Sequence, residues 1–177
     1  MEKFLHKIGL IQYFSIELDI TPEEFAQRLQ NIVDIDDFGF FSINFTYSNT
    51  LKVYKGIVNL NDFKIKRVRR LYDNRQSNSI ATGTVEFINN KSIVNTKVNG
   101  FTLTYLFILL IFILTIIGVT IAIIVNFSKV DFTIFLYIGF IFIMFYVVYK
   151  QLVQNVKNTI YDLQREFFYL TRKETIY

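Results

Sequence analysis

The densest run of chemically capable side chains in this 177-residue chain is Lys64, Lys66, Arg67, Arg69 and Arg70. Such a cluster suits an anion. Beside a membrane the expected anion is a lipid phosphate, with each cation contributing ~1 kcal/mol near a charged surface. The competing explanation is structural: Lys and Arg on the solvent face of an edge strand block edge-to-edge pairing. Phe63 and Ile65 alternating with Lys64 and Lys66 favours that strand, whereas Arg67 and the Arg69–Arg70 pair break the alternation.

Other candidates for chemistry are sparse. Asp34, Asp36 and Asp37 could offer oxygens to a divalent cation, but the stretch lacks the ligand spacing, glycine and terminal glutamate of a calcium loop. It is expected to be a solvated loop ending a helix. His6 is the single histidine and there is no cysteine, which excludes two-histidine metal sites, thiolate sites and disulfides. No serine sits in a glycine-flanked elbow and no glycine-rich phosphate loop occurs. The expectation is no catalytic residue, no metal and no cofactor. A net charge of +4, scattered along the chain, suits a protein near anionic lipid and gives no footprint for nucleic acid.

The elements that must position these residues are set by two apolar runs. Val98 to Ser128 carries no charge, and its core, Phe101 to Val125, is dominated by Ile, Leu, Val and Phe. A helix crosses the hydrocarbon core with ~20 apolar residues, each large aliphatic contributing about −0.3 to −0.6 kcal/mol near the centre. A second uncharged run, Phe132 to Tyr149, is close to the lower length limit. Wrapping two helices that are apolar on every face in a soluble core takes a chain of ~200 or more residues. A transmembrane helical hairpin is therefore expected (98–149, with spans 101–125 and 132–149), turning at Asn126–Asp131. Lipid admits only helices or closed barrels, and two segments cannot close a barrel.

Positive charge before and after the hairpin (Lys91, Lys97, Lys150, Lys157, Arg165) outweighs Lys129 in the turn, which stands beside Asp131. Both termini are expected in the cytoplasm. Ile8–Phe14 is too short, and lacks a small-residue cleavage site, for a signal peptide. Tyr105, Tyr137, Tyr146 and Tyr149 are expected as interfacial anchors or helix-contact groups. The spans hold no group ionisable near neutral pH, which argues against an ion pathway.

Residues 1–97 read as an α+β domain. Met1–Gln12 fits either a short helix or a lead-in to a strand, and Phe14, Ile16, Leu18 and Ile20 alternate as in a half-buried strand. Thr21-Pro22-Glu23-Glu24 opens a helix with an N-cap, an N1 proline and a capping box. Its apolar face is Phe25, Ala26, Leu29, Ile32 and Val33, expected to pack on a sheet. About five antiparallel strands then follow: Phe41–Tyr47, Leu51–Leu60, Phe63–Val68, Ile80–Ile88 and Ser92–Val98.

The tail, residues 150–177, continues the second span as an amphipathic helix. Val153, Val156, Ile160, Leu163, Phe167 and Leu170 form a heptad-like seam. Three roles compete for it: packing on the chain's own sheet, which is preferred, a homodimer or other protein partner, or the bilayer.

Gly56-Ile-Val-Asn-Leu-Asn-Asp-Phe-Lys-Ile-Lys-Arg67, Arg70-Leu-Tyr-Asp-Asn74 and Thr82-Gly-Thr-Val85 together resemble a group of small bacterial membrane proteins without assigned activity. The resemblance covers about residues 14–150, although the group's proline after Asn74 is absent. It implies an arrangement, a β-rich domain followed by a helical hairpin, rather than a reaction. In element order alone the chain also resembles helix-grip lipid-binding domains, a likeness that carries no function. The expectation is a non-enzymatic two-span protein of the bacterial cytoplasmic membrane, presenting its domain to protein or lipid. The alternatives are a hydrophobic-ligand or lipid-binding domain, enzymatic or not, and a small membrane immunity or stress protein.

Overall fold

The computed structural model describes residues 2–36, 52–68, 79–100, 103–125 and 132–171. The strand expected at Phe41–Tyr47, Asp37, Arg69, Arg70 and the turn at 126–131 lie outside them. The chain is α+β, with a mixed six-stranded sheet and a long C-terminal helix. The elements in chain order are α1 Glu2–Lys7, β1 Ile11–Leu18, α2 Pro22–Ile32, β2 Val33–Ile35, β3 Tyr54–Val58, β4 Asp62–Arg67, β5 Ile80–Ile88, β6 Lys91–Asn99, α3 Leu103–Val125 and α4 Phe132–Thr171. The sheet order is β1-β6-β5-β4-β3-β2.

Two sequence expectations are corrected here. Asp34 is not in a loop: it pairs with Lys55 in β2, which runs parallel to β3. The Lys52 ammonium donates to the carbonyl of Val33 (2.8 Å) where α2 ends, holding the helix-to-strand switch. Val33, expected on the helix face, is instead a buried strand residue. The second correction concerns β4, which is interior, paired with β3 on one side and β5 on the other. Its charges therefore guard no edge; β3 adds outside it by antiparallel pairing and β2 adds beyond β3 by parallel pairing.

The core lies on one face of the sheet, under α2 and the C-terminal half of α4. Phe167 of α4 meets Phe25 of α2 edge-on at 5.4 Å between centroids and Phe63 of β4 at 5.7 Å, with Phe14 of β1 at 6.3 Å. Each ring so buried contributes ~1.5–3 kcal/mol, and edge-to-face pairs add to that. Two glycines permit the close strand packing beneath. A Cβ on Gly56 would lie 2.0 Å from the Lys64 carbonyl oxygen, and one on Gly83 would lie 2.3 Å from the Phe63 ring. The β5–β6 turn uses Asn89 and Asn90 at φ 52° and 61°, the left-handed pair that a two-residue hairpin requires.

α4 is one unbroken 40-residue helix, ~60 Å long at 1.5 Å per residue. Its character changes midway. Phe140, Phe142, Ile143, Met144, Phe145, Tyr146 and Val147 are exposed, whereas Leu152, Val156, Leu163 and Phe167 are buried. Among the described residues, Ile138–Thr171 is the one helix long and apolar enough to cross a membrane, and the apolar part of α3 that qualifies is shorter, Leu109–Ile121. The two helices run side by side, with Phe112 edge-on to Phe145 at 5.7 Å.

Candidate functional site

The described cations of this run, Lys64, Lys66 and Arg67, do not form one surface. Alternation along β4 sends Phe63, Ile65 and Arg67 toward the helices and Lys64 and Lys66 to the opposite face. Arg67 bonds the Asp162 carboxylate of α4, with both side chains largely buried, at 16% and 8% exposure. Arg165 stands 3.8 Å from the same carboxylate and 3.3 Å from Glu166. The hydroxyl of Tyr54 is buried beside this cluster without a hydrogen-bond partner among the described residues. Burial first, then the nearby Glu166 and Asp162 carboxylates, hold its phenol well above the usual range. The cluster clamps α4 to the sheet: ion pairs this buried persist when geometry and extra hydrogen bonds offset desolvation.

Lys66 is buried, at 8% exposure, in a cross-strand row with Lys55 and Ile80. Lys64 is exposed and lines a groove of ≈ 730 Å³ on the face away from the helices. Tyr13, Ser15, Asp62, Thr82, Thr84, Asn95 and Lys97 complete the polar lining. Strand register generates this floor: Tyr13, Lys97, Thr82 and Lys64 lie side by side across four strands, and Ser15, Asn95, Thr84 and Asp62 make the next row. The groove offers hydroxyl, amide and ammonium donors to a polar ligand. No group of three His, Cys, Asp or Glu positioned for a metal ion occurs among the described residues.

The seam residues of the tail are brought together. Val156, Leu163 and Phe167 are in the sheet's own core, with Ile160 and Leu170 packed against it and Val153 half-buried. Arg28 of α2 donates to the carbonyl of Leu170, tying down the last turn of α4. The seam is thus occupied within the chain. Tyr161, Phe168 and Tyr169 are exposed on the helix's other side, at 65%, 62% and 54%.

Sequence reasoning missed the neck where the domain meets the apolar helices. The Tyr149 hydroxyl donates to the carbonyl of Ile8 at 2.8 Å. The Gly100 amide donates to the carbonyl of Leu10 at 2.8 Å, three residues before α3 begins. Gly9, at φ 77°, sits where a Cβ would come within 3.3 Å of Val153. Lys150 lies over the Tyr146 ring, 5.5 Å from its centroid. Beside the neck, α1 is pinned to the sheet: Glu2 accepts from Lys97 and, at 2.7 Å, from the Tyr13 hydroxyl, while His6 stacks on Tyr13 at 5.5 Å. Lys97, then Tyr13, hold the Glu2 carboxyl below the usual glutamate range, and Glu2 raises Lys97 in turn. Gly9 was the available signal, since a lone glycine between the apolar residues Ile8 and Leu10 marks a tight turn.

Comparison with protein-family models, with curated proteins and with solved structures gave no match.

Proposed function

We propose that the chain is a non-enzymatic, two-span protein of a bacterial cytoplasmic membrane, holding its α+β domain at the cytoplasmic surface for contacts with protein or lipid. The observation that carries this is the split character of α4. One rigid helix exposes consecutive large apolar side chains from Phe142 to Val147, then buries its seam in the domain core. A contiguous apolar surface of that kind is a membrane or partner surface rather than a wet one. α3, uncharged along its whole length and lying alongside α4, supplies the second span. Lys150 at the end of the exposed run and Tyr146 and Tyr149 beside it fit the interfacial belt. A core filled by aromatic rings favours an interaction domain over one built to hold a hydrophobic ligand. The exposed aromatic side of α4, Tyr161, Phe168 and Tyr169, gives a protein partner a surface that the chain's own sheet does not use.

The absence of native cysteine makes topology directly measurable. Ser128→Cys, in the turn between spans, is expected to react with a membrane-impermeant maleimide added outside intact cells. Asp19→Cys, at the far, exposed end of β1, is expected to react only after permeabilisation. Labelling of both from outside, or release of the protein by an alkaline carbonate wash, refutes the proposal.

A further inference from the structure

α1 has its own place in this arrangement. It is short, and no residue in it is buried. Phe4 is 64% exposed even though the segment is held from several sides. Glu2 and His6, one turn apart, form the stripe that faces Tyr13 and Lys97 on the sheet. Phe4 and Ile8 form a second stripe, and Lys3 and Lys7 a third, all away from that contact. Ile8 is bonded to Tyr149, the last residue of the second apolar run, and Leu10 to Gly100, just before the first apolar helix. The α1–β1 corner is thus fixed at the point where both apolar helices leave the domain. Phe4 lies one turn from Ile8, ~6 Å along the helix.

We infer that α1 rests on the bilayer surface, with Phe4 inserted at the boundary between headgroups and acyl chains and Lys3 and Lys7 against anionic headgroups. The inference rests on the membrane reading of α3 and α4. An interfacial helix buries its apolar side ~5–10 Å into this boundary, within reach of a phenyl ring one turn from the Tyr149 anchor. The two lysines beside it match an anionic leaflet in charge. The contact gives the domain a second foothold besides its helices and fixes which side of the sheet faces the membrane. The polar groove begins directly behind it, at Tyr13 and Lys97.

The chain has no tryptophan, so a single introduced one reports its own surroundings. Three full-length variants are reconstituted into vesicles of mixed zwitterionic and anionic lipid, with and without bromine on the acyl chains: Phe4→Trp, Ile143→Trp within the exposed apolar part of α4, and Phe87→Trp at the β5–β6 turn. Phe87 is separated from the neck by the length of β6, ~27 Å at 3.3 Å per residue. Bromolipid is expected to quench Ile143→Trp strongly, Phe4→Trp substantially with a blue-shifted emission, and Phe87→Trp not at all. Quenching of Ile143→Trp without quenching of Phe4→Trp overturns the inference and leaves the spans standing. Loss of quenching at Ile143→Trp overturns the membrane reading itself. Quenching of Phe87→Trp as strong as that of Phe4→Trp also overturns the inference, because the domain then lies flat on the lipid.

Discussion

Phe167 and Phe168 are neighbours in one helix with opposite surroundings, and replacing each by alanine tests the helix phase that joins α4 to the sheet. Phe167 is fully buried and packs against Phe14, Phe25 and Phe63. Truncating such a ring costs about 3–5 kcal/mol, the transfer of the ring plus the cavity it leaves. Net domain stability is ~5–15 kcal/mol, so Phe167→Ala removes at least about a fifth of it. Every 1.4 kcal/mol is tenfold in the folded-to-unfolded ratio, so the loss is roughly two to four orders of magnitude. Phe168, 62% exposed, is expected to change stability by no more than ~0.5 kcal/mol. Amide hydrogen exchange of β6 in detergent micelles reads the difference, because its residues Val94 and Val98 sit in the same core. Equal effects, or a larger one from Phe168→Ala, refute the packing: the helix is then turned by about 100°, one residue's rotation.

Two further outcomes follow from the charged contacts. Arg67→Met leaves the buried Asp162 carboxylate with poorer compensation and is expected to cost ~3–5 kcal/mol in chemical denaturation, while Arg67→Met with Asp162→Leu recovers most of it. A double variant no more stable than the single one shows that the pair is not what clamps α4. The Glu2–Lys97 contact follows linkage with a fixed sign. The Glu2 carboxyl is depressed, so its contribution is present above the unfolded glutamate value and lost as pH falls through the lower folded one. Lys97 is raised, so its share is complete below the ordinary lysine value and lost only as pH rises past the higher folded one. Exchange of the α1 amides, corrected for intrinsic rates, is expected to stay slow through neutral pH and to speed up in acid. Glu2→Gln removes the acid step; an unchanged step assigns it to another group.

Much of the domain is legible from local pattern. The N-cap of α2 at Thr21, with its side chain accepting from the Glu24 amide at 3.3 Å, was announced by Thr-Pro-Glu-Glu. β5 begins and ends where alternation and Asn89-Asn90 put it. Local pattern failed at Asp34, where charge suggested a loop and a three-residue parallel pairing with β3 made a strand. It failed again along β4, because alternation identifies a strand and not its neighbours. Whether a lysine there guards an edge or a floor depends on residues distant in sequence.

What the sequence determines by itself is composition and periodicity: the absence of cysteine and tryptophan, the two uncharged runs and the amphipathic seam from Val153 to Leu170. These depend on residue types at short spacing, and short-range geometry is the same wherever the segment lies. Tertiary structure decides which of the seam's three partners it takes, which cation of the 64–70 run is buried against Asp162 and which lines the groove. It also decides that a short helix, which no pattern distinguished from a strand's lead-in, is held at the neck by Tyr149. Those outcomes depend on contacts between residues far apart in sequence, 141 positions for Ile8 and Tyr149. Such contacts are selected by the free energy of the whole packed chain, which no window of sequence contains.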